Sequence, residues 1–540
     1  MADITTFNLA GKTAVQLGFI VDIFSPLWHK QKAMSLRKIN NALISVFDKT
    51  GLADVALALH DRGVTLISTG GTLEFIEGLG LPVQSVESHT GYASLLGGRV
   101  KTLHPKVFGG ILARREEAID LAQVGDYEFA LIDLVIVDLY PFEKTVNSTV
   151  HEAVIIEKID IGGIALIRAA AKNFNDVCII SHTAQYPELL AHLKNNGPKT
   201  DTALRAKWAR EAFATTSHYD TAIYNWFARG EEAPHLKISA HLSTALRYGE
   251  NPHQKARYYG RLDDLFTQLN GKELSYNNLV DLDAAMRLAA EFSDPTTVII
   301  KHTNSCGLAS DADLLMSWKK ALACDPISAF GGVIGINRII NGSLAREINR
   351  LFFEILIAPG YEVEALSVLK GKKNRILLTQ IKPLSCLPQI KSLLEGYIWQ
   401  EADAQSENEG HLQVVTKEIP PEDIIPDLVF AAKAAKHLKS NGIALVKNRQ
   451  LIGMGCGQTS RIDALRQAIT KARAFGFDLC GSVMASDAFF PFPDCVEESS
   501  LVGIAAIIQP GGSVKDQDSI EAADKHKIAM CFTGFRHFRH

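Results

Sequence analysis

A histidine beside a lysine at the end of an apolar run is the strongest chemical signal in the sequence. Lys301 and His302 directly follow Val298-Ile299-Ile300, which has the composition of a buried strand. Histidine can accept a proton near neutral pH, and an adjacent lysine can protonate a leaving nitrogen or stabilise an oxyanion. Such groups commonly lie at strand ends in α/β enzymes. We therefore predict that Lys301 and His302 carry out chemistry.

The nearby Cys306 gives no support for a nucleophile or a metal site. Nothing around it marks an activated thiolate. A zinc deaminase needs an H-x-E motif and a P-C-x-x-C motif, whereas His302 is followed by Thr303-Asn304 and Cys306 by Gly307-Leu308. We expect no metal ligand here and no metal requirement for catalysis.

The segment Gly97–Pro105 places cations beside a pair of glycines. It contains Arg99, Lys101, Thr102 and His104 within six positions. Glycines let the backbone approach a ligand, and the cations could hold a phosphate or a developing oxyanion. A basic surface loop is the alternative, and composition does not separate the two.

A second glycine pair follows an acid. Asp160 precedes Gly162-Gly163, and Arg168 and Lys172 lie four residues apart on the next predicted helix. Residues with this spacing share a helix face, where two like charges repel unless an anion lies between them. An anion site and a solvated helix face therefore both remain open.

The segment Ser486–Asp494 combines three phenylalanines with prolines and acids. Proline breaks helices, so the pattern predicts a rigid loop. Its apolar surface could stack a flat heterocycle, and a buried corner of the core is the alternative. The basic tail Arg536–His540 either frays or folds back to bind a phosphate.

Nucleotide motifs of other kinds are not supported. Gly453–Gln458 has a glutamine where the third glycine of a dinucleotide fingerprint is needed, and no G-x-x-x-x-G-K-[ST] motif occurs.

The elements that would position these residues alternate between strand and helix. Apolar runs predict strands at 42–46, 64–67, 134–139 and 177–180, and helical patterns cover 52–62, 72–79 and 204–227. This order is typical of a parallel α/β sheet, whose ligands lie beyond the carboxyl ends of the strands. The turn 68–72 falls at such an end and could bind a phosphate at a helix N-terminus, although a plain turn also explains it.

Further strands are predicted at 298–300, 333–336, 355–357, 443–446, 483–485 and 505–508. Residues 383–409 are poorly patterned and predict a loop or a connection between lobes. A polar segment near residue 233 marks the main boundary, so we predict an extension at 1–36, one domain at 37–233 and a two-lobed domain at 234–540. Met34 is a candidate natural start.

Composition excludes several classes of protein. The 540 residues are too long for one core and predict three or four compact units. The 56 basic and 60 acidic residues give a net charge of −4, which does not favour a nucleic-acid partner. No apolar run is long enough to span a membrane. Eight scattered cysteines favour a reducing, cytoplasmic location.

From about Leu36 to His540 the chain resembles the bifunctional purine-biosynthesis family that joins AICAR formyltransferase to IMP cyclohydrolase. The ordered motifs that carry the resemblance are SVFDKTG, STGGT, GGRVKTLHP, DLYPF, IDIGG, RAAAKN, LRYGENPHQ, KHTNSCG, DPISAFGG, IAPG, KSNGIALVKN, GCGQTSR, SDAFFPF and RHFRH. The resemblance implies a methylglyoxal-synthase-like parallel-sheet domain followed by a pair of cytidine-deaminase-like α/β lobes without zinc. It also implies a homodimer with small-molecule substrates.

For the C-terminal domain, the resemblance implies formyl transfer from 10-formyltetrahydrofolate to the 5-amino group of AICAR. His302 would take the amine proton, and Lys301 would assist at the formyl oxygen or the leaving folate nitrogen. Asp494 is also expected to be catalytic. The residues implied in binding substrate and folate are Arg247, Tyr248, Asn278, Asn441, Phe489, Phe490, Phe492 and Arg536.

For the N-terminal domain, the resemblance implies ring closure of formyl-AICAR to IMP with loss of water. Proximity supplies much of this rate, so no cofactor is required. Lys101 would stabilise the oxyanion, while Tyr140, Asp160 and Lys172 would position groups and move protons. The residues implied in binding phosphate and base are Ser45, Lys49, Ser68, Gly70, Gly71, Thr72, Arg99 and Thr102.

Four departures from the family pattern spare the residues that are expected to be catalytic. Asp138 replaces the asparagine of N-L-Y-P-F, Phe174 replaces the histidine of A-K-N-H, and Ser305 replaces the proline of K-H-x-N-P-C. An arginine with two glycines is also missing near 391–397. Because Asp138 adds negative charge near the nucleotide, the alternative is a formyltransferase whose N-terminal domain binds nucleotide but cyclises weakly or not at all.

Overall fold

The computed structural model describes residues 35–230, 234–240 and 242–540. The predicted extension and the candidate start Met34 lie outside these residues, except for positions 35 and 36. The chain divides into two compact units, Met1–His241 and Leu242–His540. Within the described residues, no helix is long and apolar enough to cross a membrane.

The first unit contains a five-stranded parallel sheet in the order β4-β3-β2-β5-β6. The described elements of this unit, in chain order, are β1 Arg37–Lys38, β2 Asn41–Ser45, α1 Leu52–His60, β3 Thr65–Ser68, α2 Gly70–Gly78, β4 Val83–Ser85, α3 Val86–Thr90, α4 Pro105–Leu112, α5 Ala118–Asp126, β5 Leu134–Val137, α6 Phe142–Ser148, α7 Glu152–Ile156, α8 Gly162–Lys172, β6 Cys178–Ile180, α9 Tyr186–Asn196, β7 Lys199–Thr200 and α10 Thr202–Phe227.

The predicted parallel α/β sheet is thus confirmed. Its central strands are apolar at nearly every position because helices cover both faces of a parallel sheet. All four residues of β5 are buried, and α8 packs on β5 and β6. The order of strands brings the carboxyl ends of β2, β3 and β5 to one edge. The short strand β4 was not predicted because Val83-Gln84-Ser85 has no apolar run.

The second unit is built on one mixed sheet, which has twelve strands among the described residues. Its elements are β8 Ser243–Ala245, β9 Arg257–Tyr259, β10 Phe266–Asn270, α11 Tyr276–Ala290, β11 Thr296–Lys301, β12 Asn304–Ser310, α12 Leu314–Cys324, β13 Val333–Ile336, α13 Gly342–Ile348, β14 Ile355–Ala358, α14 Val363–Leu369, β15 Ile376–Gln380, β16 Gln389–Leu393, β17 Gly396–Gln400, β18 Gln413–Val414, α15 Ile425–Lys436, β19 Ile443–Lys447, β20 Gln450–Gly455, α16 Arg461–Ala474, β21 Val483–Ser486, α17 Asp494–Leu501, β22 Ala506–Gln509, α18 Asp516–His526 and β23 Ala529–Phe532.

This unit consists of two lobes with the same topology. In the first lobe, the hairpin β11–β12 is followed by β13, which pairs antiparallel with β11 and parallel with β14, and β14 then pairs parallel with β15. In the second lobe, β19–β20, β21, β22 and β23 repeat every one of these pairings. The lobes join where Ala309 of β12 pairs with Gln450 of β20.

Glycines on the second hairpin strand of each lobe allow a helix to pack closely. A Cβ added at Gly307 would lie 2.4 Å from the Ala321 carbonyl oxygen of α12. A Cβ added at Gly453 would lie 2.4 Å from the Ala468 carbonyl oxygen of α16. The glycine-rich stretch 453–457 therefore begins with a close approach to α16.

The poorly patterned region 383–409 contains a hairpin rather than only a loop. Strands β16 and β17 pair antiparallel, and the turn between them places Leu394 and Glu395 at φ of 49° and 60°. This is the region where the family's arginine and glycines are missing.

Candidate functional sites

A cavity of about 540 Å³ lies at the carboxyl edge of the first unit's sheet. It is bounded by the ends of β2 and β5 and by the N-terminal ends of α2 and α8. The predicted residues that line it are Ser45, Lys49, Gly71, Thr72, Arg99, Lys101, Thr102, Tyr140 and Asp160. These residues come from five separate segments of the sequence, and the fold brings them together around one cavity.

Lys101 lies between two glycines. A Cβ at Gly70 would lie 3.0 Å from the Lys101 Nζ, and a Cβ at Gly98 would lie 2.9 Å from its Cε. Gly70 also has a φ of 52° and begins α2. The ammonium group is therefore held beside the N-terminus of a helix, where a phosphate or an oxyanion is favoured.

Asp160 and Tyr140 form the proton-bearing part of the cavity. The Asp160 Oδ1 accepts a hydrogen bond of 2.6 Å from the Gly163 N–H at the start of α8. Burial raises the pKa of Asp160 despite this bond. Burial, together with the negative charge of Asp160, also raises the pKa of Tyr140. A carboxylate with a raised pKa beside a neutral phenol can exchange protons with a bound ligand.

Several predicted ligand-binding residues already have structural partners. The Ser68 hydroxyl is fully buried and donates to the Ile44 carbonyl oxygen at 2.7 Å. The Thr72 hydroxyl donates to the Val46 carbonyl oxygen at 2.9 Å and accepts from the Val46 N–H. Arg99 forms an exposed ion pair with Glu157. Ser68 and Thr72 thus tie the sheet to α2, which shapes the phosphate end of the cavity.

Lys172 lies away from this cavity. It is exposed at the last position of α8, whereas Gly162 and Gly163 at the first turn line the cavity. Ten residues of helix correspond to about 15 Å along the axis. A direct role for Lys172 therefore has no support from this geometry and stays a prediction.

Asp138 faces the same cavity and replaces the family's asparagine. Its carboxylate accepts hydrogen bonds from the N–H groups of Phe47 and Asp48, the second at 2.9 Å. Burial raises the pKa of Asp138. Phe174, the second departure, packs against the core of this unit.

Phe47 also lines this cavity and was not predicted as functional. The rings of Phe47 and Tyr140 meet edge to face at 5.6 Å, and the Lys158 ammonium lies 5.1 Å from the centre of the Tyr140 ring. The only signal in the sequence was the position of Phe47 within SVFDKTG, next to residues already selected.

In the second unit, Lys301 and His302 lie on a tight hairpin turn. The predicted strand end is correct, but the chain reverses at once, so Asn304–Ser310 is a second strand. His302 and Thr303 have φ of 51° and 65°. His302 is exposed, and the Lys301 ammonium donates to the Phe330 carbonyl oxygen at 2.7 Å.

The neighbouring cysteine is a core residue. Cys306 is 2% exposed, and burial raises the pKa of its thiol to about 12. Ser305, the third departure, is buried, and its hydroxyl donates to the Gly307 carbonyl oxygen at 3.1 Å. A buried thiol with a raised pKa is a poor nucleophile, so Cys306 is not activated in this structure.

Helix α11 connects the predicted nucleotide residues to the hairpin. The Tyr248 carbonyl oxygen accepts from the Tyr276 N–H at 3.3 Å at the start of α11, and the guanidinium of Arg247 stacks on the Tyr248 ring. Asn278, in the first turn, forms a reciprocal capping box with Ser275. Arg247, Tyr248 and Asn278 are therefore brought close together.

Asn441 approaches the hairpin through the segment that precedes β19. The Asn304 Oδ1 accepts from the Lys439 N–H at 2.9 Å, which links the turn of the first lobe to the second lobe. The Asn441 side-chain amide donates to the Gln458 carbonyl oxygen at 2.9 Å.

The tail folds back onto the second lobe. The guanidinium of Arg536 lies 4.6 Å from the centre of the Phe538 ring, and Arg461 lies between the rings of Phe538 and Phe489. The His537 N–H donates to the Asp487 carbonyl oxygen at 3.0 Å. The tail is therefore docked rather than frayed, and its binding of a phosphate stays a prediction.

The phenylalanine loop is irregular, as predicted, but its rings have different environments. Phe490 is fully buried in the core of the second lobe, Phe489 is half-buried, and Phe492 is 53% exposed. Asp494 is half-buried at the start of α17. Phe489, Phe492 and Asp494 can thus reach a ligand, whereas direct contact from Phe490 has no support from this geometry.

Among the residues that the structure describes, no cluster of three or more His, Cys, Asp or Glu side chains could hold a metal ion.

Two protein-family models match this chain. A family model described as AICARFT/IMPCHase bienzyme matches residues 170–471, and one described as MGS-like domain matches residues 51–165. The bifunctional purine biosynthesis protein PurH of Bacteroides thetaiotaomicron is 53% identical over 504 residues, which cover 93% of this chain and 99% of the relative.

Two further relatives with the same name are similar along their whole length. PurH of Chlorobium phaeobacteroides is 45% identical over 528 residues, covering 94% of this chain and 100% of the relative. PurH of Parvibaculum lavamentivorans is 46% identical over 530 residues, covering 94% of this chain and 98% of the relative.

Proposed function

Because this chain belongs to the AICARFT/IMPCHase bienzyme family, we propose that its two units divide the two reactions between separate sites. The chain is a bifunctional AICAR formyltransferase and IMP cyclohydrolase of purine biosynthesis. The first unit closes the ring of formyl-AICAR, and the second transfers the formyl group from a folate co-substrate, 10-formyltetrahydrofolate. One observation supports this division: all residues that line the cavity around Lys101 belong to the first unit, whereas His302 belongs to the second.

In the cyclohydrolase cavity, the carboxamide nitrogen of formyl-AICAR attacks the formyl carbon and water leaves. The Lys101 ammonium stabilises the negative charge that develops on the formyl oxygen. Asp160 and Tyr140 move the protons, since burial raises the pKa of both groups. The helix N-terminus beside Lys101 favours the ligand's negative charge.

In the formyltransferase site, a bond forms between the 5-amino nitrogen of AICAR and the formyl carbon while the folate nitrogen leaves. His302 accepts the proton of the attacking amine, whose lone pair is delocalised and poorly nucleophilic. Lys301 assists at the formyl oxygen or the leaving nitrogen. Exposure of His302 on the hairpin supports this assignment, since a base must reach its substrate.

Matched substitutions test the division. His302→Ala should abolish formyl transfer and leave cyclisation of added formyl-AICAR nearly intact, whereas Lys101→Ala should do the reverse. Asn448→Ala, in the equivalent turn of the second lobe, is the control for the first variant. Lys106→Ala, outside the cavity, is the control for the second. Loss of both activities in either active-site variant would contradict separate sites.

A second candidate is a formyltransferase whose first unit binds nucleotide without efficient cyclisation. Asp138 favours it, because a carboxylate on the cavity wall repels a phosphorylated ligand. Conversion of formyl-AICAR to IMP well above the uncatalysed rate would exclude this candidate.

We also propose that the enzyme is a cytoplasmic homodimer, as the family resemblance implies. Light scattering on the purified protein should give twice the mass of one chain, and a monomer would contradict this assignment.

A further inference from the structure

The two lobes of the second unit carry equivalent hairpin turns. In the first lobe the turn is His302-Thr303, and in the second it is Asn448-Arg449, both of whose φ are 52°. All four residues therefore have the left-handed backbone that L-residues rarely adopt.

A lysine precedes each turn and makes the same contact. The Lys301 ammonium donates to the Phe330 carbonyl oxygen at 2.7 Å, and the Lys447 ammonium donates to the Cys480 carbonyl oxygen at 2.6 Å. Both acceptors lie three residues before the next strand of their lobe. The turns therefore share their backbone conformation and this lysine contact, although Lys447 also contacts Asp478.

An aspartate from the preceding helix holds each turn. The Asp281 Oδ1 on α11 accepts from the Thr303 N–H at 2.7 Å. The two carboxylate oxygens of Asp427 on α15 accept from the N–H groups of Asn448 and Arg449 at 2.7 and 2.6 Å. Burial raises the pKa of both aspartates, and these backbone bonds oppose the rise.

Only the first turn carries a histidine, and its second residue, Thr303, is the poorer fit to a positive φ. Asparagine tolerates a left-handed backbone, but threonine is branched at Cβ and is strained there. A residue keeps a strained backbone conformation only where surrounding contacts hold it there. At Thr303, next to His302, the hydrogen bond from its N–H to Asp281 is such a contact.

We propose that Asp281 is a positioning residue for formyl transfer, because its carboxylate fixes the left-handed turn that presents the His302 imidazole to the substrate. The inference rests on the proposed role of His302. A general base must lie within about 3 Å of the proton that it accepts. A displacement of about 1 Å can lower the rate about 100-fold, so a relaxed turn lowers kcat without removing a ligand contact.

The second lobe provides the matched control. Asp281→Ala removes the acceptor of the Thr303 N–H, which the amide oxygen of an asparagine could still replace. It should lower kcat for formyl transfer about 10- to 100-fold with little change in the KM for AICAR, and cyclisation should be unchanged. Asp427→Ala removes the equivalent carboxylate from a turn without a histidine, so it should lower the melting temperature at least as much and leave kcat unchanged. An unchanged kcat in Asp281→Ala, or an equal loss in Asp427→Ala, would overturn the proposal.

A rescue experiment separates turn geometry from charge. Glycine adopts a positive φ without strain, so Thr303→Gly in the Asp281→Ala background should recover part of kcat. No recovery would assign the loss to the charge of Asp281 and overturn the role of the turn. If Asp281→Ala does not fold, Asp281→Glu, whose carboxylate is displaced by one methylene, should still lower kcat, and an unchanged kcat would overturn the proposal.

The same assays keep this inference distinct from the proposed function. Full formyl transfer in His302→Ala would contradict the role of His302 as the base, and with it the proposed function. Normal formyl transfer in Asp281→Ala, with none in His302→Ala, would contradict only the positioning role of Asp281.

Discussion

The docked tail depends on a charged histidine between two carboxylates, and this makes its stability dependent on pH. The His537 Nδ1 lies 2.6 Å from Asp403, and its Nε2 lies 2.8 Å from Glu407. Burial disfavours the charged imidazole, but the two hydrogen bonds outweigh burial and raise the pKa of His537 to about 9. The side chains of His537 and Glu407 are only 5% and 3% exposed, whereas Asp403 is 43% exposed, so solvent screens the Asp403 contact more than the Glu407 contact.

The sign and size follow from linkage. A pKa that is higher in the folded state than the usual 6.5 contributes stability below pH 6.5, and this contribution is lost as pH rises through about 9. At about 1.4 kcal/mol per unit of pKa, the full contribution is about 3 kcal/mol. It falls to below about 0.5 kcal/mol near pH 9.

His537→Gln keeps a polar side chain and removes the titrating charge. Urea unfolding of the second unit should show a gap between wild type and variant that shrinks by about 3 kcal/mol from pH 6 to pH 10. His540→Gln, which changes an exposed histidine of the same tail, should follow wild type throughout. A gap that stays constant over this pH range would refute the charged clamp.

Three further substitutions test the cavity and the packing. Gly70→Ala adds a Cβ 3.0 Å from the Lys101 Nζ at a φ of 52°, so cyclisation should fall about 10-fold or more; Gly78→Ala, with open space on the same helix, should not change it. Asp138→Asn removes a negative charge but leaves one backbone N–H without its acceptor. It should therefore lower the KM for formyl-AICAR several-fold and cost about 1–2 kcal/mol in urea unfolding, and an unchanged or higher KM would contradict the repulsion. Gly455→Ala would place a Cβ 1.8 Å from a helix carbonyl oxygen. Calorimetry should show a loss of at least about 3 kcal/mol, whereas a loss below about 1 kcal/mol would contradict the close packing.

The sequence predicted the strands that are apolar throughout, because helices cover both faces of these sheets. The run 333–336 is such a strand, and its predicted bounds match β13. The second hairpin strands escaped prediction because glycine and polar residues interrupt them. In β12, Gly307 is required by the close approach of α12, and this approach is a tertiary contact that a single segment does not encode.

The same limit applies to the sites. Adjacent residues such as Lys301 and His302 were selected together because one motif contains both. The direction of a side chain depends on packing, so the sequence did not reveal that Ser68 and Phe490 are fully buried or that Lys172 lies at the far end of its helix. Nor did it reveal the role of Asp281, since the residue that it supports lies on a different element.

The repeated topology of the second unit has an evolutionary consequence. If one ancestral lobe was duplicated, the two copies began with the same turn, lysine and aspartate, and only one had to keep a histidine. Comparing the lobes with each other then separates residues kept for the fold, which both lobes share, from residues kept for catalysis, which only one lobe has. Lys301 and Lys447 make the same contact with a backbone carbonyl of their own lobe, so this contact of Lys301 does not depend on catalysis.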